Sequence, residues 1–175
     1  MKNLDKDYKY YFFAISLILI LSFSRLIPHP SNFTPILAAG VFSGFYFRNL
    51  YLSLFVVIFS MFLGDLYLGF HNTMIFTYTS LCAAVLIGIF IKKFKISEIL
   101  YSGLASSVVF FIITNFGAWL TLDMYEKSFS GLLNSYVLAI PFFHNTLIST
   151  FLYLFLFKAL LEFFVNKKKI IKNLI

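Results

Sequence analysis

The chain has 175 residues, of which 61% are hydrophobic and 12% charged, with a mean hydropathy of +0.90; soluble domains carry roughly 25% charged residues, and a soluble monomer cannot hide this much apolar surface. Apolar runs fill nearly the whole length, which excludes a separate soluble domain and predicts one all-α transmembrane domain over residues 1–175. The formal charge of +7 lies in short clusters beside apolar runs, a pattern that orients a chain in a bilayer and argues against nucleic acid as a partner.

The first predicted span covers about residues 10–27. Lysines precede it, as in a signal peptide, but Phe23 to Pro28 contains no small-x-small cleavage site, so the segment is expected to remain as the first helix. A polar, proline-punctuated insert follows, Arg25-Leu-Ile-Pro-His-Pro-Ser-Asn-Phe-Thr-Pro35. An arginine, a histidine and an asparagine at a membrane edge need a partner, a ligand or water, so a functional site is expected here.

The second span, about 34–47, starts at Pro35 and ends at Arg48-Asn49, too short to cross a bilayer alone unless steeply packed. Gly40 and Gly44 on it, like Gly103 and Ser107 further on, form small-xxx-small pairs that predict close helix packing. Spans of about 50–68, 72–91 and 97–121 follow. Cys82, the only cysteine, excludes an intrachain disulfide and reads as an inert apolar group near mid-bilayer. The last span, about 132–164, contains Pro141, which is expected to break it into a short segment and a true span from about 141 onward.

Six spans place Lys2, Lys6, Lys9, Arg48, Lys92, Lys93, Lys95, Lys167, Lys168, Lys169 and Lys172 on one side. The positive-inside rule makes that side cytoplasmic, with both termini inside and Arg25 and Lys127 near the opposite face. The expected location is the inner (cytoplasmic) cell membrane, crossed several times.

This topology carries Arg25, His29, Asn32, Thr34, Asp65, His71, Asn72, Asn115, Trp119, Asp123, Tyr125, His144 and Asn145 to the outer third or the outer loops. An outward-facing pocket is the economical reason for so many polar groups at that depth. The candidate solute-binding residues are His29, Asn32, His71, Asn115, Trp119, His144 and Asn145. Interhelical hydrogen bonding for the amides and an interfacial belt position for Trp119 are the alternatives. Arg25 lies 15 residues past Tyr10 and Asp65 lies 15 past Leu50, so both sit about 22 Å from the inner edge. Arg25 and Asp65 are therefore expected either to form a buried ion pair joining helices 1 and 3 at the site or to touch solute directly. The three histidines have no helical i, i+4 pair and no acidic cluster beside them, so no metal site and no cofactor is predicted. No nucleophile elbow, His-Glu-x-x-His or P-loop is present, so an enzyme is not expected, and active transport would need energy from a partner or a gradient.

The insert Arg25 to Pro35, together with Gly64-Asp-Leu-Tyr-Leu-Gly-Phe-His71, Thr114-Asn-Phe-Gly-Ala-Trp119 and Ala139-Ile-Pro-Phe-Phe-His-Asn-Thr146, resembles an uncharacterised bacterial family of integral membrane transport proteins. At a coarser level the chain is similar to the substrate-binding S components of energy-coupling factor (ECF) vitamin transporters. That resemblance implies a six-helix bundle with both termini inside that binds a small polar or vitamin-like solute from the outer face. It also implies docking on an energy-coupling transmembrane subunit with two ATPases. S components often carry an Ala-xxx-Ala surface on helix 1 for that docking, whereas here Ala14 is followed at i+4 by Ile18, which leaves a solitary uptake protein as an option. A second resemblance, to the small rod-shape-determining proteins of cell-wall synthesis, implies a membrane scaffold with an interaction surface in place of a pocket.

Overall fold

Within a bilayer every backbone N–H and C=O has to find its partner inside the protein, so runs as apolar as these fold as helices. The computed structural model describes the backbone of residues 4–174 and the side chains of residue 8 and of residues 10–163. Its helices are α1 (Leu4–Ser24), α2 (Ile36–Phe47), α3 (Leu50–Leu68), α4 (Met74–Phe90), α5 (Ile96–Thr121), α6 (Phe129–Val137) and α7 (Ile140–Leu174). Among the described residues three stretches are long and apolar enough to cross a membrane, Leu50–Leu68, Ile96–Thr121 and Ile140–Phe163, and three shorter apolar helices accompany them. The protein is therefore an all-α, multi-pass membrane protein.

Helix ends follow local chemistry. Asn49 caps α3 by accepting the Leu52 N–H at 3.0 Å, and Gly69, at φ 98°, ends it. The run over 132–164 is divided into two helices, as expected, but the break falls at Leu138–Ala139, two residues ahead of Pro141. Pro141 lies in the first turn of α7, where a missing N–H costs nothing and the fixed φ suits the helix.

The short helix α2 is the centre of the bundle. All of its residues are buried except Phe45 and Tyr46, and it touches α3, α4, α5 and α7. Twelve residues reach only about 18 Å, so α2 is enclosed by longer neighbours. Its backbone lies almost against that of α4: a Cβ on Gly44 would overlap the Val85 carbonyl oxygen, and one on Gly88 would overlap the Val41 carbonyl oxygen. The Gly40/Gly44 pair is thus a packing surface for α4, and Gly103 likewise makes room for Phe151 and Leu154 of α7. Helix α1 packs on α3, with Ala14, Leu17, Ile18 and Leu21 buried and Ile15, Leu19, Ile20 and Phe23 exposed.

The start of α1 meets the end of α2, where Tyr10 donates to the Phe47 carbonyl, and the α2–α3 and α4–α5 connections lie beside each other, tied by Arg48. Arg48 there does more than mark topology. Its guanidinium donates to the carbonyls of Ile89 (3.0 Å), in the last turn of α4, and Lys92 (3.1 Å), just past it, and lies 5.1 Å from the Phe45 ring centre. Lys158 of α7 donates to the Phe94 carbonyl at 3.2 Å and pairs with Glu162 at 2.5 Å. Arg48 thereby offsets the partial negative charge at the end of α4, and Lys158 ties the α4–α5 connection to α7. The side chains of Lys2, Lys6, Lys9, Lys167, Lys168, Lys169 and Lys172 lie outside the described residues.

Candidate functional site

At the end away from the lysine-rich loops, the bundle opens into a cavity of about 420 Å³. The insert after α1 supplies Arg25, His29, Asn32 and Thr34; the first turn of α2 supplies Ile36 and Leu37; the α3–α4 connection and α4 supply His71, Thr73 and Thr77. The opposite wall comes from Phe110, Thr114, Asn115 and Ala118 of α5 and from Thr146 and Ser149 of α7. A smaller annex of about 50 Å³ shares Asn32, Phe110, Thr114, Asn115 and Thr146 with it and adds Phe111, Phe142 and Phe143.

Arg25 is anchored from behind. Its Nη1 donates to the Met61 carbonyl at 2.7 Å and lies 2.7 Å from Asp65 Oδ1, with the two side chains 13% and 1% exposed. The approach to Oδ1 is outside hydrogen-bond angles, so charge rather than a directed bond holds that contact. Tyr78 of α4 completes the cluster by donating its hydroxyl to Asp65 Oδ2 at 2.8 Å. Gly64 makes the arrangement possible, since a Cβ there would sit 2.5 Å from Arg25 Nη1. The insert after α1 and helices α3 and α4 thus converge on one buried carboxylate, and Arg25 alone of the ion pair faces the cavity.

The insert is fastened to α7. Asn145 donates from Nδ2 to the Ser31 carbonyl at 3.0 Å, and Ser149 donates to the Asn32 carbonyl at 3.3 Å. Asn32 itself has φ 62°, a left-handed conformation that asparagine tolerates better than most residues. Its side-chain amide has no protein partner among the described residues. An Asn145→Ala, Ser149→Ala variant is expected to fold but to lose the clamp. Hydrogen exchange at the Phe33 amide, which donates to Pro30 at 2.9 Å, should then speed by about thirtyfold, in line with roughly 1 kcal/mol for each of the two bonds lost.

Of the residues singled out from sequence, Arg25, His29, Asn32, His71 and Asn115 line the cavity together, and Asp65 stands behind Arg25. Asn145 reaches the site only through Ser31. Trp119 turns to the α5–α6 connection, donating Nε1–H to the Glu126 carbonyl at 2.9 Å. Lys127 returns to the end of α5, donating to the carbonyls of Trp119 (2.5 Å) and Leu122 (2.9 Å). His144 is exposed and lines neither space. Among the described residues no three His, Cys, Asp or Glu side chains gather to hold a metal ion. Tyr78 and the hydroxyls of Thr73, Thr77, Thr114, Thr146 and Ser149 also belong to the site; for Thr77, Thr114, Thr146 and Ser149 the sequence signal is a small polar side chain inside an apolar run.

A family model described as "Family of unknown function (DUF6580)" matches residues 6–172. No curated protein and no solved structure matches the chain.

Proposed function

This chain belongs to the DUF6580 family, and we propose that it binds a small polar or vitamin-like solute for uptake, in a bundle of six membrane spans similar in layout to an S component. The observation that carries the reading is the cavity of about 420 Å³, within the roughly 300–1,000 Å³ of small-molecule sites. Polar side chains from four separate parts of the chain converge on it. A scaffold needs a surface for its partners and has no use for such a convergence, which disfavours the rod-shape-determinant reading. The cluster of Arg48, Lys92, Lys93 and Lys95 at the far end supports an inside placement of that end and an outward mouth in the cytoplasmic membrane.

In this reading the protein is a binding and translocating protein, not an enzyme. Ala14 and Ile18 on α1 are buried within the bundle, which favours a solitary uptake protein over one that docks an energy-coupling subunit with ATPases through that stripe. Binding comes first, and reorientation of the bundle would deliver the solute.

Native mass spectrometry of the detergent-solubilised protein tests this directly. A small molecule is expected to co-purify and to dissociate on activation. Asn115→Ala should reduce its occupancy about tenfold, in line with the loss of about 1.4 kcal/mol, whereas His144→Ala, off the cavity, should leave it unchanged. Repeated absence of any small molecule, with cell-wall synthesis proteins retained instead, would overturn the proposal.

A further inference from the structure

The lining of the cavity is chemically one-sided. Neither the main space nor the annex has an aspartate or glutamate in its wall. Asp65, behind Arg25, is fully buried and already engaged by Arg25 and Tyr78. A cationic solute would find no counter-charge there and would meet the guanidinium of Arg25 instead.

The donors at the site are unspent in a particular way. Arg25 uses Nη1 for both Met61 and Asp65. Its Nε and Nη2, whose N–H bonds run parallel along one edge of the guanidinium, have no partner among the described residues. That edge is a two-pronged donor of the geometry a carboxylate accepts. His71 shares a hydrogen bond between Nδ1 and the Thr73 hydroxyl at 2.9 Å; when threonine donates, the neutral imidazole carries its proton on Nε2 and is a second donor. His29 is different. Its Nδ1 contacts the Pro30 carbonyl at 3.0 Å and must donate to it, so the neutral ring offers Nε2 only as an acceptor. Beyond the polar part, Phe110, Phe111, Phe142 and Phe143 wall the annex, with the Phe111 and Phe143 ring centres 4.9 Å apart.

We propose that the solute is a carboxylic acid bound as its anion: the carboxylate sits on the Nε–Nη2 edge of Arg25 with His71 as second donor, and an apolar or aromatic portion points to the phenylalanine annex. Asp65 holds the guanidinium in place and partly offsets its charge, so that the site attracts an anion without retaining it irreversibly. This inference rests on the solute-binding reading above.

The test compares benzoate, benzamide and benzylamine, which share a ring and differ in the charge of the head group, by equilibrium binding to the full chain in detergent. Benzoate is expected to bind at least about tenfold more tightly than benzamide, and benzylamine not measurably. In Arg25→Gln with Asp65→Asn, which removes both charges and leaves no orphan, the ratio of benzoate to benzamide affinity should fall to about one. Arg25→Lys, which keeps the charge but not the fork, should give an intermediate ratio and serves on its own should the double variant fail to fold. His144→Gln is the control and should keep the full preference. Benzamide or benzylamine binding as well as benzoate, or a benzoate preference that survives loss of the Arg25 fork, would overturn the carboxylate inference while leaving a solute-binding protein. Failure of all three compounds to bind would count against the binding reading itself, and the inference would fall with it.

Discussion

Replacing Gly88 by alanine is expected to lower the unfolding free energy by about 3 kcal/mol, the upper end of the usual cost of overpacking. The new methyl group would meet backbone, which cannot rotate away: besides the Val41 carbonyl oxygen, it would lie 2.8 Å from Val41 C and 3.0 Å from its Cα. Helices α2 and α4 would have to separate, and Ile36 and Leu37 at the start of α2 line the cavity, so its floor would move with them. Gly44→Ala should cost about as much, because it overlaps the Val85 carbonyl oxygen and places Ile89 N at 2.9 Å. Gly40→Ala should cost under about 1 kcal/mol, since its nearest neighbour is the Ala84 methyl at 3.1 Å, which needs to give only slightly. Gly69→Ala separates backbone strain from crowding: nothing lies within 4 Å, but its φ of 98° and ψ of 150° form a conformation reserved for glycine, for a cost of about 1–3 kcal/mol. Unfolding in mixed micelles should rank Gly88 and Gly44 first, Gly69 next and Gly40 last. A Gly40→Ala cost equal to that of Gly88→Ala would refute the backbone contact between α2 and α4.

Depth was legible in the sequence and rotation was not. Counting residues from the basic end placed Arg25 and Asp65 level, and they are 2.7 Å apart. The same arithmetic puts Tyr78 at that depth, near the start of α4 as Asp65 is near the end of α3, but a tyrosine in an apolar helix resembles any interfacial aromatic. Which way a side chain faces around its helix is another matter. Residues such as Ile75, Phe90 and Ile112 are exposed while equally apolar neighbours are buried, because lipid and protein core are alike as solvents for them. The apolar pattern therefore carries no azimuth. Hence His144, one residue from Asn145 and adjacent in every sequence argument, faces away from the site, while Asn145 reaches Ser31. Backbone partners are equally silent: the Met61 carbonyl that fixes Arg25, and the Phe94 carbonyl that receives Lys158, have no side-chain signature. Lys158 lies within the last apolar run and so took no part in the topology argument. It acts as a bond to the α4–α5 connection.

Substituting Arg25 by glutamine is expected to be the most damaging change at the site, with a loss of about 3–5 kcal/mol. The carboxylate of Asp65, 1% exposed, would keep only the Tyr78 hydroxyl, and an uncompensated buried charge is costly wherever water cannot reach it. Asp65→Asn should cost less, because Arg25 retains the Met61 carbonyl and can relax toward the open cavity, and the asparagine can still accept from Tyr78. Tyr78→Phe should cost about 1.5–3 kcal/mol, the worth of a hydrogen bond to a charged group. The double neutral variant, Arg25→Gln with Asp65→Asn, should recover part of the Arg25→Gln loss, giving a coupling energy of about 1–3 kcal/mol in a double-mutant cycle. A reversed pair is a poorer test, because Gly64 leaves its space for a guanidinium arriving from α1, and an arginine at position 65 would not find the Met61 carbonyl in the same place. The cycle also separates two roles for Arg25. Stability that is regained in the neutral pair, together with a loss of anion preference, assigns its charge to the solute and its position to Asp65. Additive losses with no recovery would mean that the two charges are not coupled and that their proximity contributes nothing to the fold.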